Sequence, residues 1–218
     1  MNTPLVLVNF KTYESAIGTR AVELAKLHEQ IAHETGATIA VAVGALDIAA
    51  VAAAVDIPVF AQHADAAELG SYTGQIAPAA LRAAGAVGTL LNHSEHRMSE
   101  RVAAAHAAAK EVGLTTVICV EDAVEAAQFV ELQPDFIAVE PPELIGGDIS
   151  ITSANPDIIR QAKAQIGETA LLVGAGVKTG ADVRTAIELG AAGVLLASGV
   201  TKAADPAVVL RDLANGLT

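Results

Sequence analysis

Tryptophan is absent from this 218-residue chain, and aromatic side chains make up only 3% of it. A core must therefore be assembled from Ala, Val, Ile and Leu, which suits closely spaced helix–sheet layers that bulky rings would hold apart. There is a single cysteine, Cys119, so no intrachain disulfide can form. Within the apolar run TTVICV it reads as a small buried hydrophobe. Lysine and arginine number 13 against 25 acidic residues, for a net charge of −12. Such a chain lacks the basic face that a nucleic acid backbone demands, although a local site can still be positive. No Cys/His cluster has the spacing of a zinc site. No apolar stretch reaches membrane-spanning length without turn residues or charges. A strand-like run beginning by Pro4 leaves no room for a signal peptide. Together these absences predict a cytoplasmic protein with no nucleic acid, membrane or metal partner.

What is present is alternation. The strand-like runs are PLVLVN (4–9), ATIAVAVG (37–44), IPVFAQ (57–62), AVGTLLN (86–92), LTTVICV (114–120), DFIAVE (135–140), ALLVGAG (170–176) and AGVLLAS (192–198). They are nearly continuously apolar, as strands covered on both faces should be. Amphipathic stretches lie between them. The first helix is expected from about Glu14 to Thr35, with Ile17, Ala21, Leu24 and Ile31 on one stripe and Gly36 as its stop. The second is expected over Ala45 to Val55, and the fourth after a cap at Ser99. Asn155-Pro156 and Asp205-Pro206 are cap-then-proline signatures, and a helix from Thr179 should stop at Gly190.

Repeated strand–helix units imply a parallel sheet. Eight units give about 27 residues each, compact for a (β/α)8 barrel of typically ~250 residues. The rival is an open doubly wound sheet, which would more often carry a Gly-rich turn after strand 1; here that strand ends in Asn9-Phe10-Lys11. The expectation is the α/β class and one (β/α)8 barrel domain over residues 1–218. Two long connections, 63–77 and 141–154, are candidates for function or contacts.

In such a barrel, chemistry gathers at the C-terminal ends of the strands. The polar residues there are Asn9 and Lys11, Gln62 and His63, Asn92 to Glu95, and Glu140. Strands 7 and 8 end instead in Gly174-Ala175-Gly176 and Ala197-Ser198-Gly199. Paired small-residue loops can bring backbone N–H groups close to an anion, and a short helix from Ser198 would add its dipole. A carboxylate and an imidazole on different strands could shuttle a proton between adjacent carbons, with a lysine stabilising the oxyanion. His28, His33, His96 and His106 read as surface or hydrogen-bonded histidines, and Glu143 and Asp148 as solvated loop charges. Position alone therefore yields a phosphate-binding barrel enzyme with proton chemistry.

The segments VNFKTY, NHSEHR, AVEPPELIGGDIS, LVGAGVKTG and GVLLASGV, in this order, resemble the signatures of the triosephosphate isomerases, specifically their short archaeal-type branch. The resemblance covers essentially the whole chain. It implies the TIM barrel and the interconversion of glyceraldehyde 3-phosphate and dihydroxyacetone phosphate in glycolysis and gluconeogenesis, with no cofactor. It implies Glu140 as the base, His93 as a neutral electrophile of the kind suited to a helix N-terminus, and Asn9 and Lys11 as substrate contacts. Glu95 is implied as a supporting carboxylate near Lys11. Backbone N–H groups of Ile145, Gly146, Gly176, Ala197, Ser198 and Gly199 are implied to hold the phosphate. Residues 141–147 are implied to close over the substrate from a stiff Pro141-Pro142 hinge. Asn92 stands where the common signature has glycine, and His96 where it often has arginine. SYTGQ resembles the segment that one subunit inserts into its neighbour, which would carry Thr73 to the partner's Asn9/Lys11 region. Gln75, in place of a commoner glutamate, would remove an ion pair with the partner's Arg97. A homodimer is expected, and a tetramer is also compatible.

Two other functions remain at this point. A pentose-phosphate epimerase or related barrel isomerase would need metal-binding His and Asp at several strand ends, where this chain places only His63 and His93. A non-catalytic phosphate-binding barrel would be expected to lack one of Lys11, His93 and Glu140, since fold alone proves no activity.

Overall fold

The computed structural model describes residues 2–142 and 151–218. The expected strands form as β1 (Leu5–Asn9), β2 (Thr38–Val43), β3 (Val59–Ala61), β4 (Gly88–Leu91), β5 (Thr115–Val120), β6 (Phe136–Val139), β7 (Ala170–Val173) and β8 (Gly193–Leu196). All pairs are parallel, in the order β1-β2-β3-β4-β5-β6-β7-β8, and β8 returns to β1 with Leu5 opposite Gly193, closing the barrel. The helices are α1 (Thr19–Thr35), α2 (Ile48–Ala52), α3 (Pro78–Ala83), α4 (Val102–Glu111), α5 (Ala123–Phe129), α6 (Ile151–Ala154), α7 (Pro156–Ile166), α8 (Gly180–Glu188), α9 (Ser198–Thr201) and α10 (Pro206–Asn215). No described helix is long and apolar enough to cross a membrane.

Side-chain alternation divides the apolar residues into two cores. One fills the barrel itself with every second strand residue, among them Leu5, Leu7, Ala40, Phe60, Leu90, Val117 and Leu195. The other lies between strands and helices and takes the intervening residues, such as Val6, Val8, Val41 and Val194 with Ile31 and Leu213. Phe60 is fully buried inside the barrel, and Gly88 makes room for it: a Cβ there would sit 2.2 Å from Phe60 Cε1. Apart from Phe136 and Cys119, the remaining residues of this inner cluster are Ala, Val and Leu, in keeping with the composition.

Several helix expectations are corrected. The stretch from Glu14 is not one helix: a 3-10 turn (Glu14–Ala16) ends before Gly18, which takes φ +60, and α1 starts at Thr19. Ile17 therefore falls in the break and is 45% exposed, while Ala21, Leu24 and Ile31 are buried as a stripe. The second helix shrinks to the residues of α2. Ser99 does not cap α4; it takes φ +50 and opens a 3-10 turn. Asn155 occupies the N-cap position of α7 but makes no side-chain cap bond. The other two signatures form as expected. Thr179 and Asp182 make a reciprocal capping box on α8, and Asp205 accepts from the N–H groups of Ala207 and Val208 on α10. The connection 141–154 is not wholly loop, because it ends in α6.

Candidate active site

The same alternation that fills the barrel also builds the site. Residues pointing inward on β1 are Leu5 and Leu7, and the next of that parity is Asn9; on β6 they are Phe136 and Ala138, followed by Glu140. Gln62, Gly174 and Ala197 continue β3, β7 and β8 by the same rule. The carboxylate of Glu140 is thus delivered onto the top of the barrel and is 7% exposed. It lies so close to β7 that a Cβ on Gly174 would be 2.4 Å from its Cγ. Its Oε2 is buried without a hydrogen-bond partner among the described residues, a costly arrangement unless something else occupies that side of it. Cys119 lies in the layer below, where burial and then the neighbouring Glu140 charge push its thiol pKa up.

His93 breaks the parity rule. Asn92, the inward residue after β4, takes φ +61, and this left-handed turn advances the chain so that His93 faces the cleft. Asn92 suits that backbone better than most non-glycine residues, and its side chain ties the turn down. Its amide donates to Cys119 O (3.0 Å) and Glu125 Oε1 (3.2 Å), and its oxygen accepts from Met98 N (3.0 Å). The backbone N–H of Glu95 donates to His93 Nδ1 at 3.1 Å. A nitrogen that accepts carries no proton, so the imidazole is neutral and its one N–H is at Nε2. That atom is 3.7 Å from Glu140 Oε2 across the cleft. The expected helix N-terminus is not the cause of neutrality: His93 leads into a turn, and the first helical residues come only at Ser99.

Lys11 follows Asn9 with φ +49, an uncommon backbone for a lysine. Two hydrogen bonds hold it there, from its own N–H to Asn9 Oδ1 (3.0 Å) and from Gln62 Nε2 to its carbonyl (3.0 Å). Its ammonium meets Glu95 Oε1 at 2.7 Å. Phe10, between Asn9 and Lys11, turns outward into the core against His28.

The small-residue loops complete the other end. Ala175 and Gly176 take φ +70 and +72, and α9 begins at Ser198. Together with Asn9, Lys11, His93 and Glu140, residues Gly176, Ala197, Ser198 and Gly199 line one cleft of about 50 Å³. Tyr13, Val177 and Lys178 line it too; they lie in loops beyond the strand ends, where the strand-end filter does not look. A second cavity of about 260 Å³ opens on the far side of Asn9, Lys11 and His93, beside Gln62, His63, Glu95 and His96. The rings of His63 and His96 stack there at 4.0 Å. Thr73 is exposed and lines neither cleft of its own chain. Arg97 is engaged within its own chain, by Glu125 and, at 3.7 Å, by Glu121. Ile145, Gly146, Glu143 and Asp148 lie outside the described residues. Among the described residues, no group of three His, Cys, Asp or Glu side chains is placed to hold a metal ion.

The arrangement has a carboxylate with one oxygen unpartnered among the described residues, a neutral imidazole presenting N–H, an ammonium and small-residue loops at the far end. It can hold an anionic tail at one end and move a proton at the other. A family model described as triosephosphate isomerase matches residues 4–215. Curated triosephosphate isomerases from Methanosarcina acetivorans and Methanobacterium bryantii are each 44% identical, covering 98% and 97% of this chain and 98% and 96% of their own length. That of Metallosphaera sedula is 43% identical over 99% of this chain and 96% of its own. With site geometry and full-length similarity in agreement, the chain belongs to the triosephosphate isomerase family, alongside short archaeal members.

Proposed function

We propose that the chain interconverts D-glyceraldehyde 3-phosphate and dihydroxyacetone phosphate through an enediolate, without a cofactor, in glycolysis and gluconeogenesis. The observation that carries the reading is the pair across the cleft, with Glu140 Oε2 unpartnered among the described residues and 3.7 Å from the Nε2 of a neutral His93. Glu140 removes the C1 proton of dihydroxyacetone phosphate, and the electron pair of that bond passes to the C2 oxygen. His93 donates from Nε2 to that oxygen and relays the hydroxyl proton between the two oxygens, and Glu140 returns a proton to C2. A glutamate base paired with a neutral imidazole is the division of roles already known for this family, not a consequence of these distances alone. The Lys11 ammonium and the Asn9 amide stabilise the developing negative oxygen, and Glu95 holds the lysine in place. The phosphate sits at Gly176, Ala197, Ser198 and Gly199, with Ile145 and Gly146 joining from a closing segment 141–147. Closure keeps water from the enediolate.

The whole chain acts as one barrel domain and works as a homodimer in the cytoplasm, with a tetramer as a further assembly. Support for the dimer comes from exposed apolar side chains on the loops after β1, β2 and β3: Ile17 at 45%, Leu46 at 99%, Leu69 at 80% and Tyr72 at 39%. The cavity beside Lys11 and Glu95 has room for Thr73 of the partner subunit. Because Arg97 is already paired in its own chain, Gln75 in place of a glutamate costs the interface little.

The test is a coupled assay in both directions on the wild type and Glu140→Gln. The expected result is turnover by the wild type and a loss on the order of 10³ or more in the folded variant. An inactive wild type, or an unimpaired variant, contradicts the assignment. Sedimentation of a fully active monomer would overturn the dimer.

A further inference from the structure

The far end of the cleft, proposed above for the phosphate, is built on a very short element. α9 is a single turn, Ser198–Thr201, and its first two residues line the cleft. One turn does not hold its own shape in water, so its position must come from what grips it. On one side stands the loop after β7: a Cβ on Gly199 would lie 3.3 Å from Val177 O. On the other side stands the loop after β1. It is a neighbour of α9 because β8 pairs with β1, and this brings residues 186 positions apart into contact.

That contact is a hydrogen bond donated by Ser15 Oγ to the carbonyl of Thr201, at 2.6 Å. Thr201 is 3% exposed and is tied in turn to the cleft end of α9: its N–H and its Oγ1 both donate to Ala197 O, at 3.0 and 3.1 Å. Ser15 lies in the 3-10 turn Glu14–Ala16, shortly after Lys11. The loop that presents the ammonium is thus pinned to the turn that presents Ser198 and Gly199. A second contact joins the same two segments, with Lys202 Nζ 4.5 Å from the centre of the Tyr13 ring. Ser15 itself is exposed and does not line the cleft. Its loss leaves α9 freer to move away from the crowded Val177 side, which widens the gap between Gly176 and Ser198.

We propose that Ser15 is a positioning residue: through the Thr201 carbonyl, its hydroxyl holds α9 against the loop after β7, at the separation from Gly176 that a bound phosphate needs. This rests on the reading of the cleft as the site of a triosephosphate isomerase. Ser15 touches no substrate. Its effect therefore falls on anion affinity and KM, and it leaves the proton transfer at Glu140 and His93 alone.

The test uses the full chain and three variants: Ser15→Ala, Ser15→Thr and Thr35→Ala. Thr35 ends α1 just before β2, at the opposite end of the barrel from the cleft, and its Oγ1 donates to Ile31 O at 2.7 Å. Its variant controls for the loss of a hydroxyl–carbonyl bond as such. The readings are the Kd of inorganic phosphate by calorimetry, and kcat and KM for glyceraldehyde 3-phosphate. Ser15→Ala is expected to raise both the phosphate Kd and KM about 3- to 10-fold, the scale of one net hydrogen bond, with kcat within about 2-fold of the wild type. Ser15→Thr keeps the hydroxyl and should recover most of that loss, and Thr35→Ala should bind phosphate as the wild type does. An unchanged phosphate Kd in Ser15→Ala overturns the proposal, as does an equal loss in Thr35→Ala. A loss in Ser15→Thr as large as in Ser15→Ala overturns it too, because the hydroxyl would then not be the agent, and so does a wild type that binds no phosphate. A wild type that binds phosphate yet turns over no triose phosphate would defeat the isomerase reading, and the phosphate Kd of Ser15→Ala would still decide the positioning claim.

Discussion

Acid should weaken this protein well before its carboxylates titrate, through a histidine that takes no part in the chemistry. His28 is fully buried on α1 with its ring 5.2 Å from that of Phe10. Its Nδ1 lies 2.7 Å from Leu24 O, so Nδ1 must donate, and the bare Nε2 has no partner among the described residues. A second proton would place a charge in the core with nothing to accept from it. Burial, opposed only in part by the Leu24 hydrogen bond, lowers its pKa from 6.5 to about 4. Between those values the unfolded chain binds a proton that the folded chain refuses. Stability is therefore complete above about pH 6.5, falls as pH drops, and levels off near pH 4. At ~1.4 kcal/mol per pH unit the total loss from this one group is ~3 kcal/mol, a large share of a typical ~5–15 kcal/mol. Burial also lowers the pKa of His63 and His106, so the wild-type curve alone would not isolate His28. The assay is urea denaturation of the wild type and His28→Leu from pH 7 to pH 4. The gap between the two curves should shift by ~3 kcal/mol in favour of the variant as pH falls. Parallel curves would refute the reasoning, because the ring would then be protonated or solvated in the folded state.

Other consequences follow from close approaches seen in the fold. Gly174→Ala places a methyl 2.4 Å from Glu140 Cγ and should lower kcat ~10²-fold or more by displacing the carboxylate proposed as the base, while circular dichroism stays native. Phe60→Ala empties the middle of the barrel and should cost ~3–5 kcal/mol in chemical denaturation. Asn92→Ala keeps φ +61 without the three hydrogen bonds that hold the turn. It should reduce both melting temperature and activity, with Asn92→Gly closer to the wild type in melting temperature.

How legible this was in the sequence differs residue by residue. The eight strands were readable because a strand buried on both faces is a short continuous apolar run, and the closed barrel followed from their number and spacing. Asn9 and Glu140 were readable as strand-end polar residues, and the inward parity of β1 and β6 explains why both face the cleft. Ile17 was misplaced because a helical stripe was carried through Gly18, whose positive φ breaks the helix. Ser99 has the chemistry of a cap but a left-handed backbone, which no residue pattern announces. The neutrality of His93 was expected from a helix terminus and arises from one backbone N–H two residues on, a contact visible only in three dimensions. Lys178 and Tyr13 sit beyond the strand ends, where no strand pattern singles them out, and only the fold brings them to the cleft.

The central claim is that Glu140 moves a proton, not a hydride, between adjacent carbons. Its most direct test is isomerisation of dihydroxyacetone phosphate in D2O, with the glyceraldehyde 3-phosphate trapped as it forms and examined by NMR. A carboxylate that exchanges with solvent between removal and return predicts deuterium at C2 in a substantial share of the product, with the labelled product forming ~10³-fold more slowly in Glu140→Gln. Product formed at full rate with no deuterium at C2, or labelled equally fast by the variant, would contradict the account.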